Sequence, residues 1–188
     1  DYHHVHPEAA GLDGQYFFDF MPALAGSYKV FTEIVPLRSR RQAIALSELE
    51  VPGRSGTPKF ERSTVSLIGG IRFELLTVPE VLETGRDYRL QLIMTDAEGN
   101  AIDLETVMGA KGHMVAFDSV GMGFAHMHPV GSVASVRTAG LSSGGGFDSG
   151  DQDLAFMFNV PNPGWYRLFA QIQVKGKAVF GRFDLRVE

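Results

Sequence analysis

The sequence predicts an all-β protein built as a β-sandwich, and three observations lead to that prediction. Glycine occurs 22 times and proline 9 times among 188 residues, and turn motifs recur at short intervals. There are 14 phenylalanines and 5 tyrosines, which are residue types that favour strands. Apolar and polar residues alternate in several segments, and no sustained period of 3.6 residues indicates a helix. This pattern is typical of sandwiches of the immunoglobulin-like or cupredoxin-like type.

The first predicted unit spans residues 1–52. Its third strand alternates well, with Tyr28 and Val30 on one side and Lys29 on the other. The predicted strands of this unit are 2–6, 15–21, 27–35 and 43–51. A unit of about 50 residues buries too little surface to be stable alone. We therefore expect it to pack on the second unit, on a segment upstream of Asp1, or on a partner.

A linker rich in glycine, serine and proline, residues 53–59, leads to a second predicted unit at 60–188. Strand 87–96 alternates most clearly, with Tyr88, Leu90 and Leu92 on one face. A glycine-rich turn at 121–123 joins two further strands as a hairpin. The predicted strands are 63–68, 71–78, 87–96, 113–119, 124–128, 154–160, 165–174 and 178–187.

One tetrapeptide pattern occurs twice in similar surroundings. His4-Val5-His6-Pro7 matches His126-Met127-His128-Pro129, and each copy precedes an aromatic strand and a turn-plus-strand. Segments 18–31 and 156–169 align without a gap. A repeated sequence predicts a repeated fold, so we expect tandem units of which the first is incomplete. Two histidines two residues apart also point to the same side of a strand, which suits a metal ion.

Composition excludes several classes of function. The net charge is −5 and no basic face accompanies the single basic run at 38–41, so no nucleic-acid partner is expected. There is no cysteine, which excludes disulfides, thiolate metal sites and cysteine nucleophiles. No apolar run reaches the roughly 20 residues of a membrane helix. The chain starts in what resembles mid-domain, and we expect that an upstream segment is missing.

The second unit offers three histidines for a metal site. His113 begins one predicted strand, and His126 and His128 lie on the next. If these strands pair across the glycine-rich turn, His113 lies near His128 and three imidazoles converge on one face. Neutral imidazole suits zinc, copper, nickel or iron. In the first unit His4 and His6 form a weaker candidate pair, because no strand there carries a third ligand.

Methionine bears on the choice of metal. Thioethers favour Cu(I), and four methionines surround the histidines: Met108, Met114, Met122 and Met127. Strand parity places Met114 and Met127 opposite to the histidines, so we predict that the methionines pack rather than ligate. Copper is the first expectation and zinc the second. A purely structural role also stays open, with a ring bonded to a backbone carbonyl and the proline ending the strand.

Catalysis is not expected. The sequence has no Ser/His/Asp order with supporting turns, no phosphate loop and no dinucleotide fingerprint. The carboxylates near the histidines are interpreted as solvated turn residues: Asp118, Asp148, Asp151 and Asp153. A metalloenzyme using the three histidines is the weakest of the hypotheses.

Three blocks of the second unit resemble a known group of proteins. They are Gly109-Ala110-Lys111-Gly112-His113-Met114-Val115, Gly123-Phe124-Ala125-His126-Met127-His128-Pro129 and Pro163-Gly164-Trp165-Tyr166-Arg167-Leu168-Phe169. The chain is similar in these blocks to bacterial secreted or periplasmic β-sandwich proteins, in which the pattern often occurs in tandem. That resemblance implies binding of copper or another heavy metal in the periplasm or outside the cell. It also implies a glycine-histidine strand in the first unit, which this sequence lacks.

Two functions therefore stay open from the sequence. The first is an extracytoplasmic metal-binding protein for storage, delivery or resistance, with His113, His126 and His128 as ligands. The second is a non-catalytic accessory subunit, docked on the outer face of a membrane complex or on another extracytoplasmic protein. In the second case another chain would complete the exposed strand edges of the first unit.

Overall fold

The protein is described here by a computed structural model that covers residues 2–9, 14–107, 109–130 and 153–188. Those residues form twelve strands and no helix, which confirms the all-β prediction. No helix in the described ranges has the length and hydrophobicity to cross a membrane. The chain divides into two compact units, Asp1–Pro58 and Lys59–Glu188, called unit 1 and unit 2 below.

Unit 2 contains eight strands in two antiparallel sheets. They are β5 (Val65–Ile68), β6 (Ile71–Leu76), β7 (Tyr88–Thr95), β8 (His113–Asp118), β9 (Phe124–Met127), β10 (Leu154–Phe158), β11 (Gly164–Val174) and β12 (Lys177–Val187). Sheet I has the order β10-β7-β6-β5, and sheet II has the order β12-β11-β8-β9. Each predicted strand of this unit is confirmed within a few residues at its ends.

The inward side chains of both sheets share one hydrophobic core. Phe73 and Phe156 of sheet I and Leu168 and Phe183 of sheet II are all 0% exposed and belong to one cluster. Strict alternation along β7 buries every second side chain, as the sequence pattern predicts. Two layers around one core are consistent with a β-sandwich, while the immunoglobulin-like or cupredoxin-like type stays a prediction.

The two sheets are also joined at their edges. Pro129, just after β9, bridges to Phe156 of β10, and Ser63 bridges to Asp184 of β12. A proline has no N–H for a strand ladder, so β9 ends at Met127 and the chain passes from sheet II to sheet I. The His-x-His-Pro motif therefore lies at an edge where the chain changes sheets.

Unit 1 contains four strands: β1 (Glu8–Ala9), β2 (Tyr16–Phe17), β3 (Gly26–Ile34) and β4 (Ala43–Val51). β1 pairs with β2, and β3 pairs with β4 over nine residues each. No described side chain between residues 2 and 58 is buried. The predicted strand at 2–6 is wrong, because a strand needs a neighbour for its ladder and pairing begins only at Glu8, after Pro7. The predicted strand at 15–21 shortens to β2.

Candidate metal centre

His113 is the first residue of β8 and one of the most deeply placed polar residues of unit 2. Its side chain is 2% exposed. β8 lies between β9 and β11, so the ring is flanked on both sides by neighbouring strands. The preceding residue, Gly112, allows this close packing, because a Cβ there would meet Leu154 Cδ1 at 2.7 Å and the carbonyl oxygen of Gln171 at 2.9 Å.

The hairpin β8–β9 brings His126 and His128 to His113. Val115 pairs with His126 and Met114 with Met127, so the register places His128 opposite His113, one residue beyond β9. Asp118 shapes the turn: its side chain accepts a hydrogen bond from the Met122 N–H at 2.9 Å. The predicted pairing across the glycine-rich turn is thereby confirmed.

The three imidazoles converge. Their ring centroids are 4.8 Å apart for His113 and His128, 4.9 Å for His126 and His128, and 5.5 Å for His113 and His126. One ligand nitrogen from each ring lies within 4.8 Å of the others, and the group can hold a metal ion. His113 is buried, His126 is half-buried and His128 is exposed. In the described part of the chain no other histidine or carboxylate group does this.

Two of the nitrogens already stand at a coordination distance. His126 Nε2 lies 3.4 Å from His113 Nδ1. Bonds of about 2.0–2.1 Å at a tetrahedral angle separate two ligand nitrogens by roughly 3.3–3.4 Å. That separation suits a metal ion between these two rings. Ligation by the exposed His128 as well would require its ring to rotate, because nitrogens sharing one ion lie closer together than 4.8 Å.

The methionines play a different part. Met114 is 0% exposed and Met127 is 7% exposed, and both belong to the core cluster on the opposite face of sheet II. The prediction that these two pack is confirmed. Met122 lies in the hairpin turn and is 66% exposed, whereas Met108 lies outside the described residues. The neighbouring thioethers of β8 and β9 therefore give no support for Cu(I).

Aromatic rings flank the histidines on the same face of sheet II, a feature that the sequence analysis did not identify. The Phe124 ring lies 6.4 Å from His126, and Phe117 lies 5.4 Å from Phe124. Alternation along β8 places Phe117 on the His113 side, so this neighbourhood follows from strand parity once the hairpin register is known.

The first-unit histidines have only part of this arrangement. His4 and His6 lie with ring centroids 5.0 Å apart, and His3 contacts Phe20 edge-on at 4.8 Å. No third ligand group joins the pair within the described residues. A metal site at His4 and His6 stays a prediction.

Neither Asp118 nor Asp153, the two of the four candidate carboxylates that the structure describes, belongs to the histidine group. Asp118 holds the hairpin turn, and Asp153 accepts a hydrogen bond from Gln91 Nε2 at 3.0 Å. Asp148 and Asp151 lie outside the described residues, as does most of the glycine- and serine-rich segment before β10. The sequence analysis missed the backbone carbonyl of Val107, which accepts a hydrogen bond from His113 Nε2 at 3.0 Å. A backbone acceptor leaves no trace in a side-chain pattern.

Comparison with known families gives one match. Residues 66–188, more than half of the chain, match the family described as "Domain of unknown function (DUF8832)". The matched region contains all three histidines of the candidate site. No curated protein matches the chain.

Proposed function

We propose that this chain, which belongs to the DUF8832 family, is an extracytoplasmic metal-binding protein that serves metal storage, delivery or resistance. The observation that carries the proposal is the convergence of His113, His126 and His128, whose ligand nitrogens lie within 4.8 Å of one another. A buried imidazole needs polar partners, and His113, 2% exposed on an inner strand of sheet II, has the other two rings beside it.

Copper is the metal that this donor set favours first. Imidazole nitrogens bind zinc, copper, nickel and iron, and affinity along the divalent series reaches its maximum at Cu²⁺. The chain contains no cysteine, so thiolates do not compete for the ion. Zinc is the second expectation, since two of the nitrogens stand at the 3.4 Å separation that tetrahedral coordination requires.

The asymmetry of the site supports exchange rather than permanent structural binding. A closed structural zinc site has four protein ligands, whereas this group supplies three from the described residues. His113 is buried but His128 is exposed and lies beyond the end of β9. Solvent or an incoming ligand can therefore displace His128 first, as delivery requires.

A second candidate function has its own support in unit 1. Four aliphatic side chains of its hairpin are 37–52% exposed, namely Ile34, Ile44, Leu46 and Leu49. The register places Ile34 and Leu49 on one face of the hairpin and Ile44 and Leu46 on the other. Exposed aliphatic side chains on both faces of a strand pair with no buried residue fit surfaces that another extracytoplasmic protein or a membrane complex covers. The accessory-subunit function is compatible with metal binding in unit 2.

The test uses the full chain, prepared without chelators and titrated with Cu²⁺ and with Zn²⁺ while native mass spectrometry counts the bound ions. We expect one ion per chain. Replacing a ligand should weaken binding by more than about 100-fold, because loss of an outer-sphere partner alone costs 10–100-fold. His128→Ala is the decisive variant, since an exposed side chain can be removed without unfolding unit 2.

His6→Ala is the matched control, because it alters the corresponding position of the other motif. It should leave the ion held by unit 2 and its affinity unchanged, and a further ion lost only in this variant would belong to the weaker candidate pair His4 and His6. A chain that binds neither ion, or that loses binding equally in His6→Ala and His128→Ala, would contradict a site at the three histidines. Isolation of a metal-free chain only within a larger assembly would favour the accessory function.

A further inference from the structure

The segment that joins β7 to β8 ends next to His113, at the candidate site. Within it, Val107 and Ala110 exchange backbone hydrogen bonds of 2.8 and 3.1 Å. Gly109 has a φ of 80°, in the left-handed region that favours glycine. These bonds fix where the Val107 carbonyl points.

That carbonyl contacts the metal site directly. The Val107 oxygen accepts the Ala110 N–H and also lies 3.0 Å from His113 Nε2. A carbonyl oxygen can only accept, so His113 Nε2 carries the proton. In the neutral ring the lone pair is then on Nδ1, the atom that lies 3.4 Å from His126 Nε2.

Glu105, which precedes Val107 in the same segment, is bonded to sheet II. Its backbone N–H donates to the Gln173 carbonyl at 2.9 Å. Its carboxylate accepts the Gly176 N–H at 3.0 Å on each oxygen and the Gln173 Nε2–H at 3.2 Å. Gly176 belongs to the turn between β11 and β12 and has a φ of 72°. One carboxylate thus ties the loop to a rigid hairpin two strands away from His128.

We infer that His113 is preset as an Nδ1 ligand by the Val107 carbonyl, and that Glu105 is the positioning residue that keeps this carbonyl in place. The inference rests on the proposed function of the same three histidines. Ligating histidines commonly donate their second ring N–H to a carbonyl or carboxylate, which fixes the tautomer and strengthens the ligand. In this chain the acceptor is the Val107 carbonyl oxygen, and the Glu105 side chain holds it in place.

The geometry also specifies the exchange that accompanies loading. In the metal-free site the proton between the two rings belongs to His126 Nε2 and points to His113 Nδ1. On loading, His126 would change tautomer: Nε2 gives up its proton and Nδ1 takes one up, so that both facing nitrogens can act as ligands with no net release of protons. The His113 proton stays on Nε2 and keeps its hydrogen bond to the Val107 carbonyl throughout.

The direct test is a long-range proton–nitrogen correlation spectrum of the full chain with ¹⁵N-labelled histidine, recorded without metal and with Zn²⁺, which is diamagnetic. We expect His113 to show a protonated Nε2 in both states and a zinc-shifted Nδ1 in the loaded state. Coordination of zinc through His113 Nε2 would overturn the inference while leaving the metal-binding function intact. Absence of zinc binding would remove the proposed function together with the inference.

Glu105 is tested by two substitutions of its own side chain and by a control substitution at Asp103. Glu105→Ala removes the anchor and should lower zinc affinity by about 10–100-fold. Glu105→Gln keeps an oxygen that can accept the Gly176 N–H and should bind within about threefold of the unaltered chain. Asp103→Ala removes an exposed carboxylate from the same segment and should bind zinc as the unaltered chain does.

The tautomer of His113 shows whether Glu105 positions the ligand or only stabilises the fold. In Glu105→Ala, the His113 nitrogen signals should shift toward a mixture of both tautomers while the chain stays folded by circular dichroism. If Glu105→Ala and Asp103→Ala bind zinc equally and His113 keeps its Nε2 proton, Glu105 does not position the ligand. An affinity loss in Glu105→Ala with an unchanged tautomer would contradict the role assigned to it as well.

Discussion

The two stretches that carry His-x-His-Pro make the same contacts at corresponding positions. Tyr28 donates to the Leu24 carbonyl at 2.7 Å, and Tyr166 donates to the Asn162 carbonyl at 2.8 Å. Phe20 meets Tyr28 edge-on at 5.1 Å, and Phe158 meets Tyr166 edge-on at 6.0 Å. Glu8 opposes Phe17 just as Val130 bonds to Ala155.

The surroundings of these contacts differ. β11 lies between β12 and β8, whereas β3 pairs with β4 alone among the described strands. The strand in the β8 position is what supplies His113 and covers the aromatic side chains of unit 2. The comparison teaches that local sequence sets the turn and the register in both copies of the motif. A neighbouring strand then decides whether the same residue types form a buried core and a cluster of histidines.

The largest expected difference in stability is between alanine substitutions at two phenylalanines that occupy corresponding positions. Phe156 is 0% exposed and Phe18 is 48% exposed at the corresponding position. Phe156→Ala should lower the free energy of unfolding by about 4 kcal/mol, since it opens a cavity in the core. Phe18→Ala should lower it by at most about 1 kcal/mol. Urea denaturation of the full chain, followed by circular dichroism, measures both, and equal losses would show that unit 1 has a core of its own.

An intermediate difference is expected for two ion pairs that occupy corresponding ladder positions. Arg167 bonds Asp184 through two nitrogens at 2.7 Å each, and Asp184 is 2% exposed. The matching pair, Lys29 with Glu48, is largely exposed.

Arg167→Ala should destabilise the chain by about 3 kcal/mol, because it leaves a buried carboxylate without its partner. The stack of Arg167 on Phe60, with 4.4 Å from the guanidinium to the ring centroid, is lost as well. Lys29→Ala should cost less than about 1 kcal/mol. The same denaturation experiment compares them, and a loss near 3 kcal/mol for Lys29→Ala would contradict the exposed placement of that pair.

The smallest difference is expected for the two tyrosine hydroxyls. Tyr166 is 4% exposed, and Tyr166→Phe should cost about 1 kcal/mol for the lost hydrogen bond. Tyr28 is half-buried and its acceptor Leu24 is 61% exposed, so water can replace the hydroxyl. Tyr28→Phe should therefore cost about 0.5 kcal/mol or less. Thermal unfolding of both variants checks the order, and a reversed order would show that the corner of unit 1 is the more tightly packed one.

Much of the fold followed from sequence because strand signals are local. Alternation placed β7 and β3 correctly, and the glycine-rich turn placed the β8–β9 hairpin with its histidines facing each other. The strand predicted at 2–6 was wrong, because the ladder in this part of the described chain begins at Glu8, after Pro7. The support of His113 by Val107 and Glu105 was not predictable, since it uses a backbone carbonyl and a carboxylate bonded to a turn 71 residues further along the chain.

The sequence alone determined the all-β class, the end of a strand before Pro129, and the set of histidines on one face of a hairpin. Those features depend on side-chain period and on the missing N–H of proline, which act within a few residues. Only the tertiary structure decided the burial of His113, the ring nitrogen that faces His126, and the difference between the two motif copies. These depend on which strand lies beside another, and burial and hydrogen-bond partners are set by neighbours that are distant along the chain.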